Sequence, residues 1–188
     1  MPNLDAMDQG ALAAILNAIR DPQRLLATWH EREMFDTVGE DGMRLSRGSS
    51  GTAEVDTVAH GYLNAVGRPL PPLLLSFLYA CNGYEIRTIE GDGITVVDGD
   101  DFDIINGLLP ARHLESDETG EGRGGVLIGK AYDQCRIVFV DEGPETGMVV
   151  FDDGDGDVIL APTLATFFHD LVAHGLSIDA VASTRDSR

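Results

Sequence analysis

Cysteine is scarce in this sequence. Cys81 and Cys135 are the only two in 188 residues, and they form no CxxC pair. That excludes the spacing of a zinc ribbon and of a thioredoxin-type redox site. Basic residues are also few, 13 Lys and Arg against 32 Asp and Glu, for a net charge of −19. Such a surface repels phosphates and anionic lipid, so neither nucleic acid nor a membrane is an expected partner. No basic stretch followed by an apolar run opens the chain, and no segment reaches the apolar length needed to span a bilayer. The cytoplasm is the location these absences lead one to expect.

Apolar residues make up 43% of the chain, enough for an ordinary core. Their spacing is clearest from Gly67 to Gly83, GRPLPPLLLSFLYACNG. Pro71 and Pro72 fit only where a helix begins, since proline lacks the N–H and presets φ. Leu73, Leu74, Phe77, Leu78 and Cys81 then fall at helical spacing, and Asn82-Gly83 stops the helix by accepting a left-handed cap. Cys81 lies on the apolar face of this helix and reads as a core residue.

Residues 1–35 read as two helices. The first carries Ala11, Leu12, Ile15, Leu16 and Ile19 on one face with Asp8 as cap, and the second starts at Asp21-Pro22 and carries Leu25, Leu26 and Trp29. Residues 36–52 are rich in Gly, Ser and charge and read as a linker or mobile loop. A further helix begins at Thr52 or Ala53, bears Val55, Val58, Tyr62, Leu63 and Val66, and ends at Gly67. After Gly83 the pattern changes to short β-prone runs at 85–89, 94–98, 126–129, 136–141, 148–152 and 158–160, with a helix or strand near 104–109 and then a polar loop. Asp153-Gly154-Asp155-Gly156 joins the last two strands as a hairpin turn. A closing helix is capped by Thr163, faces inward through Leu164, Phe167, Phe168 and Leu171, and ends at Gly175. The tail after Asp179 reads as polar and frayed.

The expected fold class is α+β, an antiparallel or mixed sheet with helices packed on one face and an N-terminal helical extension. The expected division is 1–52 extension and linker, 53–176 the α+β domain, and 177–188 the tail.

The acidity is concentrated. From Glu85 to Asp157 there are 19 acidic residues and 5 basic ones. Runs of like charge normally face solvent. No chemical motif emerges from them. GEGRGG at 120–125 has the letters of a dinucleotide-binding fingerprint, but a polar loop precedes it and a strand follows, where the fingerprint needs a strand and then a helix. DDGDGD at 152–157 has the composition of a calcium loop, but Val158 stands where the turn needs Gly, and Leu164 where the bidentate Glu belongs. The five histidines form no HExxH or other close ligand pair, and GSSGT lacks the order of a nucleophile elbow. No catalytic residue, cofactor site or metal site is expected.

Three segments in order resemble a known group. They are GRPLP and FL with NG at 67–83, VLIG through IVFVD to GMVVFDD at 126–153, and LAPTLATFFHDL at 160–171. Together they resemble the SUKH superfamily, which contains the yeast cell-wall assembly regulator and many bacterial immunity proteins. Leu70-Pro71, Phe77-Leu78, Asn82-Gly83, Ile128-Gly129, Val149 to Asp152 and Thr163 to Phe168 carry the match, with Thr163 where Ser is usual. The likeness spans about residues 53–175, so the first 52 lie outside it. It implies a non-enzymatic immunity or adaptor role. The expected partner is a cognate toxin domain, and a basic nuclease-type toxin would complement the acidic charge. Asp98, Asp100, Asp101 and Asp103 in one loop and Asp152, Asp153 and Asp155 in the hairpin are the expected contacts. The alternative is a regulatory adaptor of the same fold without a toxin partner, docking through the N-terminal helices.

Overall fold

The computed structural model describes residues 2–21, 23–25, 43–47, 52–88, 104–109, 111–131 and 135–186. Helix α1 spans Ala6–Arg20. Its cap is Asp5, not Asp8: the Asp5 side chain accepts the Asp8 N–H at 2.9 Å. Asp8 instead contributes its negative charge to the first turn, where the helix dipole favours it. Ala11, Ile15 and Ile19, four apart, form the buried stripe. Asp21 then caps the helical residues 23–25, accepting the Arg24 N–H at 3.1 Å.

Strand β1, Met43–Arg47, lies where a linker was expected. It pairs antiparallel with β2, Tyr84–Thr88, from Met43↔Thr88 to Arg47↔Tyr84. Helix α2 (Thr52–Val66) buries Val55 and Tyr62, and Gly67 ends it at φ +79°. Helix α3 (Pro72–Cys81) starts at the proline pair and ends at Asn82, φ 50° and ψ 45°.

Asn82 is fully buried, and its Oδ1 accepts the Ala111 N–H at 2.7 Å. One residue thus closes a helix and anchors the 3-10 turn Ala111–His113. Asn82→Ala is expected to cost about 2–3 kcal/mol, combining left-handed strain with a stranded N–H. Asn82→Gly should recover only the backbone part, and urea unfolding of the two variants would separate the terms.

The strands continue as β3 (Ile104–Leu108), β4 (Glu115–Glu118), β5 (Gly124–Ala131), β6 (Cys135–Val140), β7 (Val149–Asp152) and β8 (Asp157–Ala161). They form one eight-stranded sheet in the order β1-β2-β3-β5-β6-β7-β8, with β4 beside β5. Every pairing is antiparallel. The expected strand at 94–98 lies outside the described residues. β4 sits within the expected polar loop.

Helix α4 (Leu164–Ala173) is capped by Thr163, whose Oγ1 accepts the Thr166 N–H at 3.1 Å. The tail after Asp179, expected to be frayed, is helical as far as Asp186. Residues Ile178–Asp186 form helix α5, which buries Ile178, Val181 and Ala182. Tyr84 Oη donates to the carbonyl of Leu176 at 2.9 Å, joining this turn to β2.

Faces of α1, α2, α3 and α4 meet alternate strand residues, among them Val126, Ile128, Ile137, Val149, Phe151 and Leu160, in one apolar cluster. The fold is α+β, and α1 shares this core with the elements after residue 52. Among the described residues no helix is long and apolar enough to cross a membrane.

Candidate functional site

Acidic side chains gather where two turns of the sheet come together. The β4–β5 turn and the β7–β8 hairpin meet there. Thr119 Oγ1 donates to Asp157 Oδ2, and the Gly120 N–H donates to Asp152 Oδ2 at 3.2 Å. Two arginines are inserted between the carboxylates. Arg123 donates through Nη1 to Asp157 and Glu121, both at 2.6 Å, and through Nε to Glu145 at 2.5 Å. Arg136 donates through Nη1 to Asp117 at 2.9 and 3.2 Å, and through Nη2 to Asp152.

The sequence folds this way because Arg136 and Asp152 are cross-strand partners in the β6–β7 register. Opposite charges directly across an antiparallel pair attract. The side chains of Asp152 and Asp157 are wholly buried. Oδ1 of Asp157 has no hydrogen-bond partner among the described residues, so its charge rests on the contacts at Oδ2. Burial alone would push the Asp152 carboxyl up. The Gly154 N–H, Arg136 and the Gly120 N–H outweigh that and hold it below the ordinary carboxylate value. Arg123 is held above its ordinary range by Glu145, Glu121 and Asp157.

A second cluster fastens α2 to the turn that follows β6. Tyr62 Oη donates to Asp141 Oδ2, and Arg68 reaches Asp141 at 3.2 Å and Glu142 at 2.5 Å. Burial, then the bond to Asp141, pushes the Tyr62 hydroxyl well above its ordinary range.

These placements separate the expected contact residues. Asp153 and Asp155 are exposed. Asp153 accepts the N–H groups of Asp155 at 2.9 Å and Gly156 at 3.1 Å, which fixes the tip of the hairpin. Asp152 is corrected: it is 1% exposed and committed to Arg136, so it supports the hairpin and cannot meet a partner. Asp98, Asp100, Asp101 and Asp103 lie outside the described residues. Glu115 and Glu118 on β4 are exposed and were missed as candidates. The sequence signal for them was present in the polar run ESDE before the tight turn TGEG.

The letters of GEGRGG also find a structural use. Gly122 takes φ +81° in the turn. A Cβ on Gly125 would lie 2.2 Å from the Phe139 carbonyl oxygen, so β5 and β6 can pair only with glycine there. Among the described residues no group of three His, Cys, Asp or Glu side chains is arranged to hold a metal ion. The apolar stripe of α1 is already buried inside the chain, which leaves it unavailable as a docking face.

No family model, no curated protein and no solved structure matches this chain.

Proposed function

We propose that this chain is a non-enzymatic binding protein of the immunity type, which neutralises a toxin by direct protein–protein contact through this acidic cluster of turns. The observation that carries the reading is the division of carboxylates in that cluster. Asp117, Asp152 and Asp157 are committed to Arg136 and Arg123 and stiffen the cluster. Glu115, Glu118, Asp153 and Asp155 stand outside these ion pairs and face solvent. A rigid scaffold presenting unpaired acids suits a basic partner. The complementary field raises the rate of encounter, and preorganisation lowers the ordering cost. The resemblance of Leu70-Pro71, Asn82-Gly83 and Thr163 to Phe168 to the SUKH pattern supports the immunity role.

The test uses a cognate toxin domain, to be sought first in the neighbouring reading frame. Asp153→Lys with Asp155→Lys should slow association about tenfold or more at low salt and flatten the salt dependence, with a modest fall in melting from the lost Asp153 turn bonds. Stopped-flow mixing at two ionic strengths measures both. Identical rates for the variant and the native protein at both would remove this surface from the reading.

A further inference from the structure

We propose that β4 is a docking edge, on which an extended Lys- or Arg-bearing segment of a protein partner adds as a further strand. The inference rests on the acidic-surface reading and names how the partner is held.

Among the described residues β4 pairs with β5 alone, from Glu115↔Leu127 to Glu118↔Gly124. The Thr119 N–H donates to the Arg123 carbonyl across the turn at 3.0 Å. Antiparallel ladders alternate between bonded and non-bonded pairs. Asp117 and Glu115 therefore bond to β5, while Ser116 and Glu118 turn their main-chain groups away from it. The Glu118 N–H is taken by Asp117 Oδ1 at 2.8 Å. Among the described residues, the outward N–H and C=O of Ser116 and the C=O of Glu118 meet no hydrogen-bonding group. Glu115, Ser116 and Glu118 are exposed. Helix α2 lies near β4 and makes no hydrogen bond to it.

An open edge is a template for another strand. Its charges decide which strand. A second copy would set Glu115, Asp117 and Glu118 against the same carboxylates, and like charges directly opposite destabilise a pair. A basic segment reverses the sign. Asp117 is occupied by Arg136, so Glu115 and Glu118 are the carboxylates left for the partner. The edge is held in place before binding by the Arg136–Asp117 and Thr119–Asp157 contacts. Main-chain bonds would supply affinity and the two glutamates selectivity.

The probe is a synthetic peptide of about eight residues, a typical strand length, alternating Lys or Arg with Val or Thr. A second peptide of the same sequence carries N-methyl groups on alternate backbone nitrogens. Both are titrated into the full-length ¹⁵N-labelled chain. The first should saturate with shifts centred on the Ser116 and Glu118 amides, and the Ser116 amide should gain protection from exchange. The N-methylated peptide, equal in charge, should bind at least about tenfold more weakly. Ser116→Pro, which removes an outward N–H and leaves the β5 bonds intact, should weaken the first peptide similarly. Glu115→Gln with Glu118→Gln should weaken it and flatten its salt dependence.

Equal affinity for the two peptides, shifts confined to Asp153 and Asp155, or no binding of either peptide would overturn the edge. The N-methylated probe keeps the test decisive if Ser116→Pro disturbs folding. With the toxin domain, slowing by the Asp153 and Asp155 reversals but not by Ser116→Pro would overturn the edge and leave the acidic-surface reading standing. No effect of either would remove both.

Discussion

Phe168→Ala should lower the free energy of unfolding by about 3–5 kcal/mol, the largest single effect expected in this protein. Phe168 is fully buried, and its ring lies 5.4 Å from that of Phe77 at an interplanar angle of 59°. Tilted rings at this distance gain from quadrupole attraction as well as from burial. The pair joins α4 to α3, two helices far apart in sequence, so its loss opens a cavity that neither helix can close alone. A domain of this size holds only about 5–15 kcal/mol in total. The variant should therefore melt about 10 °C lower, at two to four degrees per kcal/mol. Denaturant titration gives the comparison directly: the midpoint should fall while the slope stays constant. Phe168→Leu fills most of the space and should cost well under half as much. Equal losses for Ala and Leu would mean that the ring pair, not the volume, carries the effect.

Where local signals were strong, the sequence was sufficient. Pro71-Pro72 and Asn82-Gly83 bracket α3 because their backbone preferences need no tertiary help. Thr163 caps α4 for the same reason. The elements missed owe their state to distant partners. MRLSR at 43–47 has no strong β pattern and becomes a strand by pairing with residues 84–88. ESDE at 115–118 contains nothing apolar and is drawn into the sheet by its turn and its register with β5. Helix α5 is polar along much of its length, yet Arg185 donates to Asp170 at 2.6 Å and to the Leu160 carbonyl at 3.0 Å. Each is a tertiary override of weak local propensity.

The candidate site was legible to a similar degree. Its location followed from the uneven acidic charge, because charge is a property of composition. The roles within it did not follow. Asp152 and Asp153 are neighbours, but Asp152 ends β7 and meets Arg136 across the pair, while Asp153 opens the hairpin turn and stays in solvent. Only the β6–β7 register decides which is which, and that register is set by a turn that no local pattern specifies.

Asp152→Asn tests that division of roles. The amide keeps the shape of the side chain but removes the charge facing Arg136, and its NH₂ group cannot accept from the donors around it. Breaking a buried pair from one side strands the other charge, at about 3–5 kcal/mol when both are buried. Arg136 is partly exposed and retains Asp117, so about 2–3 kcal/mol is expected here. The cost should depend on pH in a definite direction. The folded protein holds this carboxyl below its ordinary value of 3.8. A group depressed by folding contributes stability that is fully present above the unfolded value and is lost as the pH falls through the folded one. The gap between native protein and variant should stay constant from neutral pH down to about 5, then narrow as the pH falls below about 4. Unfolding curves for both proteins across that range give the gap at each pH. A gap that persisted undiminished below the carboxylate range would mean that Asp152 acts through packing and neutral hydrogen bonds. In that case the hairpin tip would owe its position to the turn bonds of Asp153 more than to the Arg136 pair. The variant should also leave the charges of Asp153 and Asp155 in place. A slower association with the partner than their field predicts would therefore measure how much the rigidity of this cluster contributes to recognition.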